Sequence, residues 1–594
     1  MSDLSQALEL ETVDTLKRYH LTLIGVRPTP VRKTELTQAL IAGLSDPERL
    51  KAYYWNLSEL EQTFLREAVF HYNGYVQRSR FTTKYGQFPE QPRKENYFSY
   101  RSEMADVLKV FFYRENGDRY SSTRRIPATV LLILKQFVER PEPDVIKFHS
   151  LAEPLPEQHT LFERERSALN ELHAMLISLQ NKEIKVSEKT GLASTATLKK
   201  LSKNVQEYYQ KLSCEEAAGM EFILTYGWLK LIGNSKFSKQ SKTTLVPAQK
   251  TCSEIADTIK VIWEQWINNR HHDEFRRIDN IKGQTGKGSR YFTNVVNRRQ
   301  AIIAALKECK AAQNSESRWI SFKDLSDYMF ISGSELEITS APEYLYICDP
   351  HYGELSGAGW DTLEASYLRC FLVEYAATLG LIDVIMATPK IDQDSEELWG
   401  TDDMECLSRY DGLQSLRLTP LGEYVLGLTD SYQASEPVKT ETSLTIYREG
   451  RIMFNSTPTH WEQQFLSLYA EQGSGKKEKD HVWKLSRRRI METLQIGGSI
   501  DELKQFLLNR EDQPFLPENC ESLLNQAQSN IDGVKITQEA LIITCKSREI
   551  ADLVTHDKFF SKWCQRLDDL QIVIPKNKEK VFRESLNAMG IGCV

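Results

Sequence analysis

The ten cysteines of this chain include no Cys-x-x-Cys pair, no apolar run approaches the roughly 20 residues a membrane helix needs, and neither sign of charge dominates. Each absence excludes a class. Scattered cysteines argue against structural zinc and against a disulfide framework, and for a reducing compartment. The apolar stretch Ala128-Thr-Val-Leu-Leu-Ile-Leu134 is short and flanked by charge. Met1-Ser-Asp-Leu-Ser-Gln lacks the basic and apolar regions of a secretory signal, so a soluble, cytoplasmic protein without a membrane partner is expected. With 75 Lys and Arg against 82 Asp and Glu, the formal charge is −7, and the surface as a whole does not attract nucleic acid. Any DNA contact must come from local basic patches. The stretch 394–405 carries much of the local negative charge and reads as a solvated acidic loop.

Catalytic signatures are wanting too. Gly283-Gln-Thr-Gly-Lys-Gly-Ser289 has the composition of a phosphate cradle without the Gly-x-x-x-x-Gly-Lys-Ser/Thr spacing. Gly473-Ser-Gly-Lys476 fails because Lys477 stands where a magnesium-holding hydroxyl belongs. The chain is therefore not read as a motor. In His271-His272-Asp273-Glu274 the adjacent histidines would point apart on a helix, and no third ligand has suitable spacing. Cys348 beside Asp349 and His351 lacks an oxyanion or elbow motif. Asp144, Glu183 and Lys185 could form a metal-dependent nuclease, with the carboxylates on magnesium and the lysine beside the attacking hydroxide. That pattern is common by chance in charged chains. No enzyme activity, cofactor or metal is expected.

What is present is length and pattern. A chain of 594 residues, 41% hydrophobic and 26% charged, is ordinary globular material for about three to five domains of roughly 100–200 residues each. Residues 1–125 read as helical, with Asp46-Pro47 as a capping acid before a first-turn proline and Ser58-Glu-Leu-Glu61 as a capping box. A turn is expected at Gly117-Asp118. Residues 126–250 give an apolar helix at 128–138, a proline joint, a long helix around 158–180, and a second helix from Thr195 to Val205. There Phe222 to Ile232 reads as a helix end turning into a strand, before a lysine-rich tip at 235–242 and Thr243-Thr-Leu-Val-Pro247. Helices followed by a hairpin with a polar tip are the element order of a winged helix. After a helical basic connector (251–315) the order recurs across 316–432. A helix Phe322 to Met329, a longer helix Leu363 to Leu379 and strands at 380–386 and 413–418 precede a helix capped by Thr419-Pro420. Trp263 and Trp266, three apart on one helical face, are expected in a core.

The last third, 440–594, carries the most specific order of motifs. A strand-like pair, Ser443-Leu-Thr-Ile-Tyr447 and Ile452-Met-Phe454, precedes Lys484-Leu-Ser-Arg-Arg-Arg489, Gly497-Gly-Ser-Ile-Asp-Glu-Leu503 and Leu516-Pro-Glu-Asn519. The chain then runs through Val534-Lys-Ile, Ala540-Leu-Ile-Ile-Thr-Cys545 and Gln571-Ile-Val-Ile-Pro575. With Ile184–Gly191 opening onto Leu198-Lys-Lys-Leu201, Leu245-Val-Pro247 leading to Trp263 and Trp266, and Arg417–Gly422, this order resembles bacterial helicase-associated proteins. Those are related to the accessory part of XPB-type helicases, and the motor domains have no counterpart here. The resemblance spans roughly 160–594. It implies tandem winged-helix units followed by a small C-terminal αβ domain, association with DNA or a helicase, and no catalytic residue. The fold expected is mainly α with α+β modules.

Four basic patches are candidate nucleic-acid contacts: Lys199, Lys200 and Lys203 on a recognition-type helix; Lys236, Lys239 and Lys242 at a wing tip; Arg276, Arg277, Lys282, Lys287, Arg290, Arg298 and Arg299, with Phe275, Tyr291 and Phe292 interleaved; and Arg487, Arg488 and Arg489 beside Lys476, Lys477, Lys479 and Lys484. The patch over 270–299 is the densest and ranks first. All four also fit solvated faces or partners for the surplus acids. The expected function is a non-catalytic, DNA-associated accessory subunit acting on duplex DNA with a separate helicase, ATPase or nuclease, in bacterial DNA repair or anti-phage defence. The alternatives are a pure protein scaffold and the nuclease above.

Overall fold

The N-terminal helices start where their capping residues stand. The Asp46 carboxylate accepts from the Glu48 and Arg49 N–H groups ahead of Pro47, and Ser58 and Glu61 close a reciprocal capping box. The computed structural model of the chain describes residues 3–29, 32–91, 103–114, 123–151, 154–209, 220–311, 318–334, 336–347, 353–355, 359–390, 404–434, 443–473, 481–511, 515–531, 533–534 and 539–593. The expected turn at Gly117-Asp118, the Cys348-Asp349-His351 group, most of the acidic stretch and Lys476, Lys477 and Lys479 lie outside the described residues. The fold is mixed α/β, 48% helical with small sheets. It groups into two compact units, Met1–Thr440 with Thr459–Phe465, and Glu441–Pro458 with Leu466–Val594.

The first unit opens with α1 (Asp3–Glu9), α2 (Val13–Ile24), α3 (Lys33–Leu44), α4 (Pro47–Trp55), α5 (Glu59–Phe70) and α6 (Arg78–Tyr85). A short helix α7 (Asp106–Lys109), a small ribbon of β1 (Tyr113–Arg114) and β2 (Arg124–Arg125), and α8 (Ala128–Leu134) complete one core. Phe64 anchors it, meeting Phe81 and Phe88 edge to face at 5.1 and 5.0 Å.

Two similar element orders follow. In the first, β3 (Thr160–Phe162) leads to α9 (Arg164–Gln180), a bridging segment 184–186, α10 (Thr195–Leu201), α11 (Ile223–Gly233) and a hairpin of β4 (Ser238–Ser241) and β5 (Thr244–Pro247). The Leu245 N–H donates to Ile184 and the Val186 N–H to Thr243, so the bridging segment lies along β5. Next come α12 (Ile255–Ile267) and a two-residue strand β6 (Ile281–Lys282). In the second order, α13 (Val295–Glu308), β7 (Ile320–Ser321) and α14 (Phe322–Ile331) precede β8 (Tyr346–Ile347), which pairs with β6. Helix α15 (Glu364–Cys370) continues into a π-helical stretch, Phe371–Ala376. Strands β9 (Ile382–Met386) and β10 (Leu413–Leu418) then form a hairpin, closed by α16 (Pro420–Val425), whose cap Thr419 accepts from the Gly422 N–H. The sheet order is β3-β9-β10-β7, so β3 binds the two arrangements into one body. All five residues of β9 are buried, as expected of a strand covered on both faces.

Several expectations need correction. Phe222–Ile232 does not turn into a strand. Ile223 to Gly233 is one helix, because its apolar residues are buried all round rather than alternately. The long helix begins at Arg164, after a strand occupying 160–162, and the helix expected to reach Val205 ends at Leu201 in a 3₁₀ turn, Ser202–Asn204. Helix α11 crosses the π-helical stretch so closely that a Cβ on Gly227 would lie 2.2 Å from the Glu374 carbonyl oxygen. Glycine is required there for packing. Trp263 and Trp266 are buried, as their spacing indicates.

The second unit holds a sheet ordered β11-β12-β14-β13: β11 (Leu444–Ile446), β12 (Arg451–Phe454), β13 (Ala470–Gln472) and β14 (Val482–Leu485). Helices α17 (Arg487–Gln495), α18 (Ile500–Leu508) and α19 (Glu518–Asn530) follow. A smaller module has β15 (Ala540–Thr544), α20 (Arg548–His556), β16 (Gln565–Arg566), β17 (Gln571–Pro575) and α21 (Glu579–Ala588) around its own core, which includes Val554, Phe560, Ile572 and Phe582.

Candidate nucleic-acid interface

Of the arginines in the densest basic patch, three point inward. Arg277 meets Glu374 through Nε at 2.8 and 3.1 Å and through a terminal nitrogen at 2.9 Å, and lies 3.8 Å from the Tyr226 ring centre. Burial alone would lower the pKa of Arg277, but the Glu374 carboxylate outweighs it and holds the guanidinium well above its ordinary value. Arg298 forms a two-pronged pair with Asp273 at 3.0 and 2.7 Å. Arg299 binds Glu274 at 2.7 Å and donates to the carbonyls of Trp266, Asn269 and His272, capping the end of α12. Glu274 also accepts from Trp266 Nε1 and the Tyr367 hydroxyl, and burial raises its carboxyl pKa despite Arg299. Arg298 and Arg299 clasp the connector to itself, and Arg277 clasps it to the π-helical stretch that follows α15. They are not presented to a phosphate backbone. Only Arg276, Lys282, Lys287 and Arg290 of that patch are exposed.

The lysines of the first arrangement behave differently. Across 182–205 and 234–250 stand Lys182, Lys185, Lys189, Lys199, Lys200, Lys203, Lys236, Lys239, Lys242 and Lys250, against Glu183 and Glu188. Every one of these lysines is exposed. Lys200 pairs with Glu183 at 3.2 Å, and Lys185 donates to the Thr244 hydroxyl at 3.0 Å. Gln240 joins the patch: its amide donates to the carbonyls of Ser187, Glu188 and Lys242, tying the 187–191 turn to the hairpin tip. Ser194 caps α10 and aligns Lys199 and Lys200 on its outer side. The resulting surface carries ammonium point charges suited to phosphate oxygens.

The helix next to this hairpin is itself buried. The helix carrying Lys199 and Lys200, expected to be of recognition type, is α10, the second helix of this order; immediately before the hairpin stands α11, where the third helix of a winged helix would stand. Its Ile223, Leu224, Thr225, Gly227, Trp228, Leu229, Leu231 and Ile232 are buried. The second arrangement repeats this, with α15 buried along nearly its whole length.

The remaining candidates are dispersed. In the second unit Arg487 and Arg488 are exposed and Arg489 is half-buried; Arg488 pairs with Glu492 at 2.9 Å. Asp144 is held by Lys84, which also binds Glu67, whereas Glu183 is held by Lys200, so the proposed nuclease residues have separate partners. Among the described residues no group of three or more His, Cys, Asp or Glu side chains could hold a metal ion. His272 stacks on Trp266 and bonds Asn234, with its pKa pushed down to about 4 by burial and by neighbouring Lys230, Arg299 and His271. The glycine-rich loop is packed rather than open: a Cβ on Gly283 would lie 2.1 Å from the Tyr344 carbonyl oxygen. No helix among the described residues is long and apolar enough to cross a membrane. Neither protein-family models nor curated proteins match the chain.

Proposed function

We propose that the protein is a non-catalytic accessory subunit that grips the sugar–phosphate backbone of duplex DNA without reading its sequence, beside a separately encoded helicase, ATPase or nuclease. The observation that carries this reading is the lysine face at 182–205 and 234–250, where exposed cations outnumber acids ten to two. The order helix, strand, two helices, hairpin in α9–β5, and again in α13–β10, supports a winged-helix reading of both. With it stands the resemblance to helicase-associated proteins, and hence a setting in bacterial DNA repair or anti-phage defence. Phosphate contacts fix position and carry no sequence information, so the buried α11 and α15 make this a sequence-blind grip. A pure protein scaffold is the second reading, favoured by the burial of those same two helices.

Filter binding of duplex DNA over a range of salt separates the two. About 4–8 phosphate contacts give a steep fall of log affinity with log salt, near 0.9 for each phosphate neutralised. Lys199→Glu with Lys200→Glu and Lys203→Glu, or Lys239→Glu with Lys242→Glu, flattens that slope by about 1 for each lysine reversed. Unrelated duplexes of equal length bind alike. Absent or salt-insensitive binding leaves the scaffold.

A further inference from the structure

The segment from Glu274 to Phe292 has a second feature that the lysine face does not explain. Two tyrosines, Tyr291 and Tyr344, lie stacked on the surface with ring centres 5.0 Å apart and planes 8° from parallel. They remain 41% and 37% exposed. Their neighbour Phe292 shows the ordinary alternative, turning edge-on to the buried Phe275 at 5.6 Å. The tyrosines are held outward by the backbone beneath them. The Tyr291 carbonyl accepts from the Ser340 N–H at 3.1 Å and from the hydroxyls of Thr339 and Ser340. Tyr344 ends a 3₁₀ turn, Pro342–Tyr344, seated on Gly283, and a Cβ on Gly288 would lie 2.3 Å from the Gly283 carbonyl oxygen. Gln284 closes the loop from below, donating to Ile278 and Ile281 at 2.9 and 2.8 Å. The glycines thus let three turns pack closely enough to present one rigid pair of rings.

Charge around the rings is mostly positive. Lys282, Lys287 and Arg290 are exposed on the same turns, with Glu343 the exposed acid beside Tyr344. No carboxylate pairs with Lys287 or Arg290 among the described residues. Aromatic rings flanked by cations suit an unpaired strand, because every base offers a π face while its phosphates follow the cations. A duplex, whose bases are already stacked, offers nothing to the rings.

We infer that the Tyr291–Tyr344 platform, with Lys287 and Arg290, binds an unpaired DNA strand by stacking on its bases. This rests on the nucleic-acid reading above and extends it: lysines hold duplex, tyrosines hold the strand that a partner motor or nuclease exposes. The test is fluorescence anisotropy of the full chain with labelled oligothymidine and with a duplex of the same length. Tyr291→Ala with Tyr344→Ala weakens oligothymidine binding about tenfold or more and leaves duplex binding unchanged. Tyr291→Phe with Tyr344→Phe keeps oligothymidine affinity within about twofold, since the ring and not the hydroxyl does the stacking. If the alanine variant melts below the wild type, Lys287→Glu with Arg290→Glu decides, weakening oligothymidine and sparing duplex. An alanine variant that binds oligothymidine like the wild type overturns the inference, as does a wild type that binds duplex alone. A wild type that binds neither probe removes the nucleic-acid reading along with it.

Discussion

Replacing Arg277 by alanine separates a clasp from a DNA contact. In the folded chain the Glu374 side chain is fully buried and Arg277 is 18% exposed. Three N–H···O contacts join them, and the Tyr410 hydroxyl donates to the same carboxylate. Arg277→Ala leaves the buried Glu374 side chain served by Tyr410 alone. Breaking one half of a buried pair in this way costs about 3–5 kcal/mol, because the surviving charge is left uncompensated. Removing both charges with Arg277→Met and Glu374→Met costs about 1–3 kcal/mol less than the sum of the single changes, since neither ion is then stranded. Urea unfolding followed by tryptophan fluorescence measures the three variants, with duplex binding measured on each while folded. The expected result is a large loss of stability in Arg277→Ala with unchanged DNA affinity. A variant that unfolds like the wild type, or stays stable but loses DNA about tenfold, refutes the assignment of this arginine to the interior.

Gly227→Ala tests the helix crossing. Alanine favours a helix by about 1 kcal/mol over glycine, yet its Cβ would meet the Glu374 carbonyl oxygen at 2.2 Å and the Thr378 hydroxyl at 2.8 Å, so net destabilisation of about 1–3 kcal/mol is expected by urea titration. A neutral or stabilised variant would mean the helices separate easily. His173 gives a pH dependence. Its Nδ1–H donates to the Leu169 carbonyl at 3.0 Å, and burial pushes its pKa from 6.5 down to about 4. A depressed histidine folds best when neutral, so its contribution is intact above pH 6.5 and is lost as pH falls from there toward about 4. The loss is roughly 3 kcal/mol at 1.36 kcal/mol per unit. His173→Gln flattens the stability curve over that window by about one proton; an unchanged slope would place the titration elsewhere.

Local signals survived translation into structure because short-range physics decides them. Asp46 before Pro47, the Ser58–Glu61 box and Thr419 before Pro420 each cap the expected helix, and the strand at 413–418 stands where its composition puts it. Phe222–Ile232 misled because a helix buried on all sides has no amphipathic period, and its aromatic and β-branched residues imitate a strand. Three arginines of the first-ranked basic patch misled for a different reason. Density of arginine along the chain says nothing of where an acid will sit in space, and Glu374 lies 97 residues from Arg277. A nearer clue was present: Asp273-Glu274 stands 25 residues before Arg298-Arg299, and all four pair. Tyr344 was invisible beside Tyr291 until both turns closed on Gly283.

Arginine and lysine divide the work along physical lines. Arg277, Arg298 and Arg299 are consumed by carboxylates in the interior, where a planar fork can satisfy several acceptors at once. The lysines of 182–205 and 234–250 stay exposed, on a turn and hairpin tied together by Gln240, with Lys200 alone paired to an acid, Glu183, among the described residues. Arginine–carboxylate pairs therefore fix the interior, and the lysines are left at the surface. Under the proposed function, such a face would release salt ions on binding and leave base edges untouched. If a partner motor supplies movement, this chain must hold duplex firmly without stopping at particular sequences. Under the proposed function, lysines set around the buried α11 would do that, whereas an exposed third helix would arrest the complex wherever its side chains found matching bases.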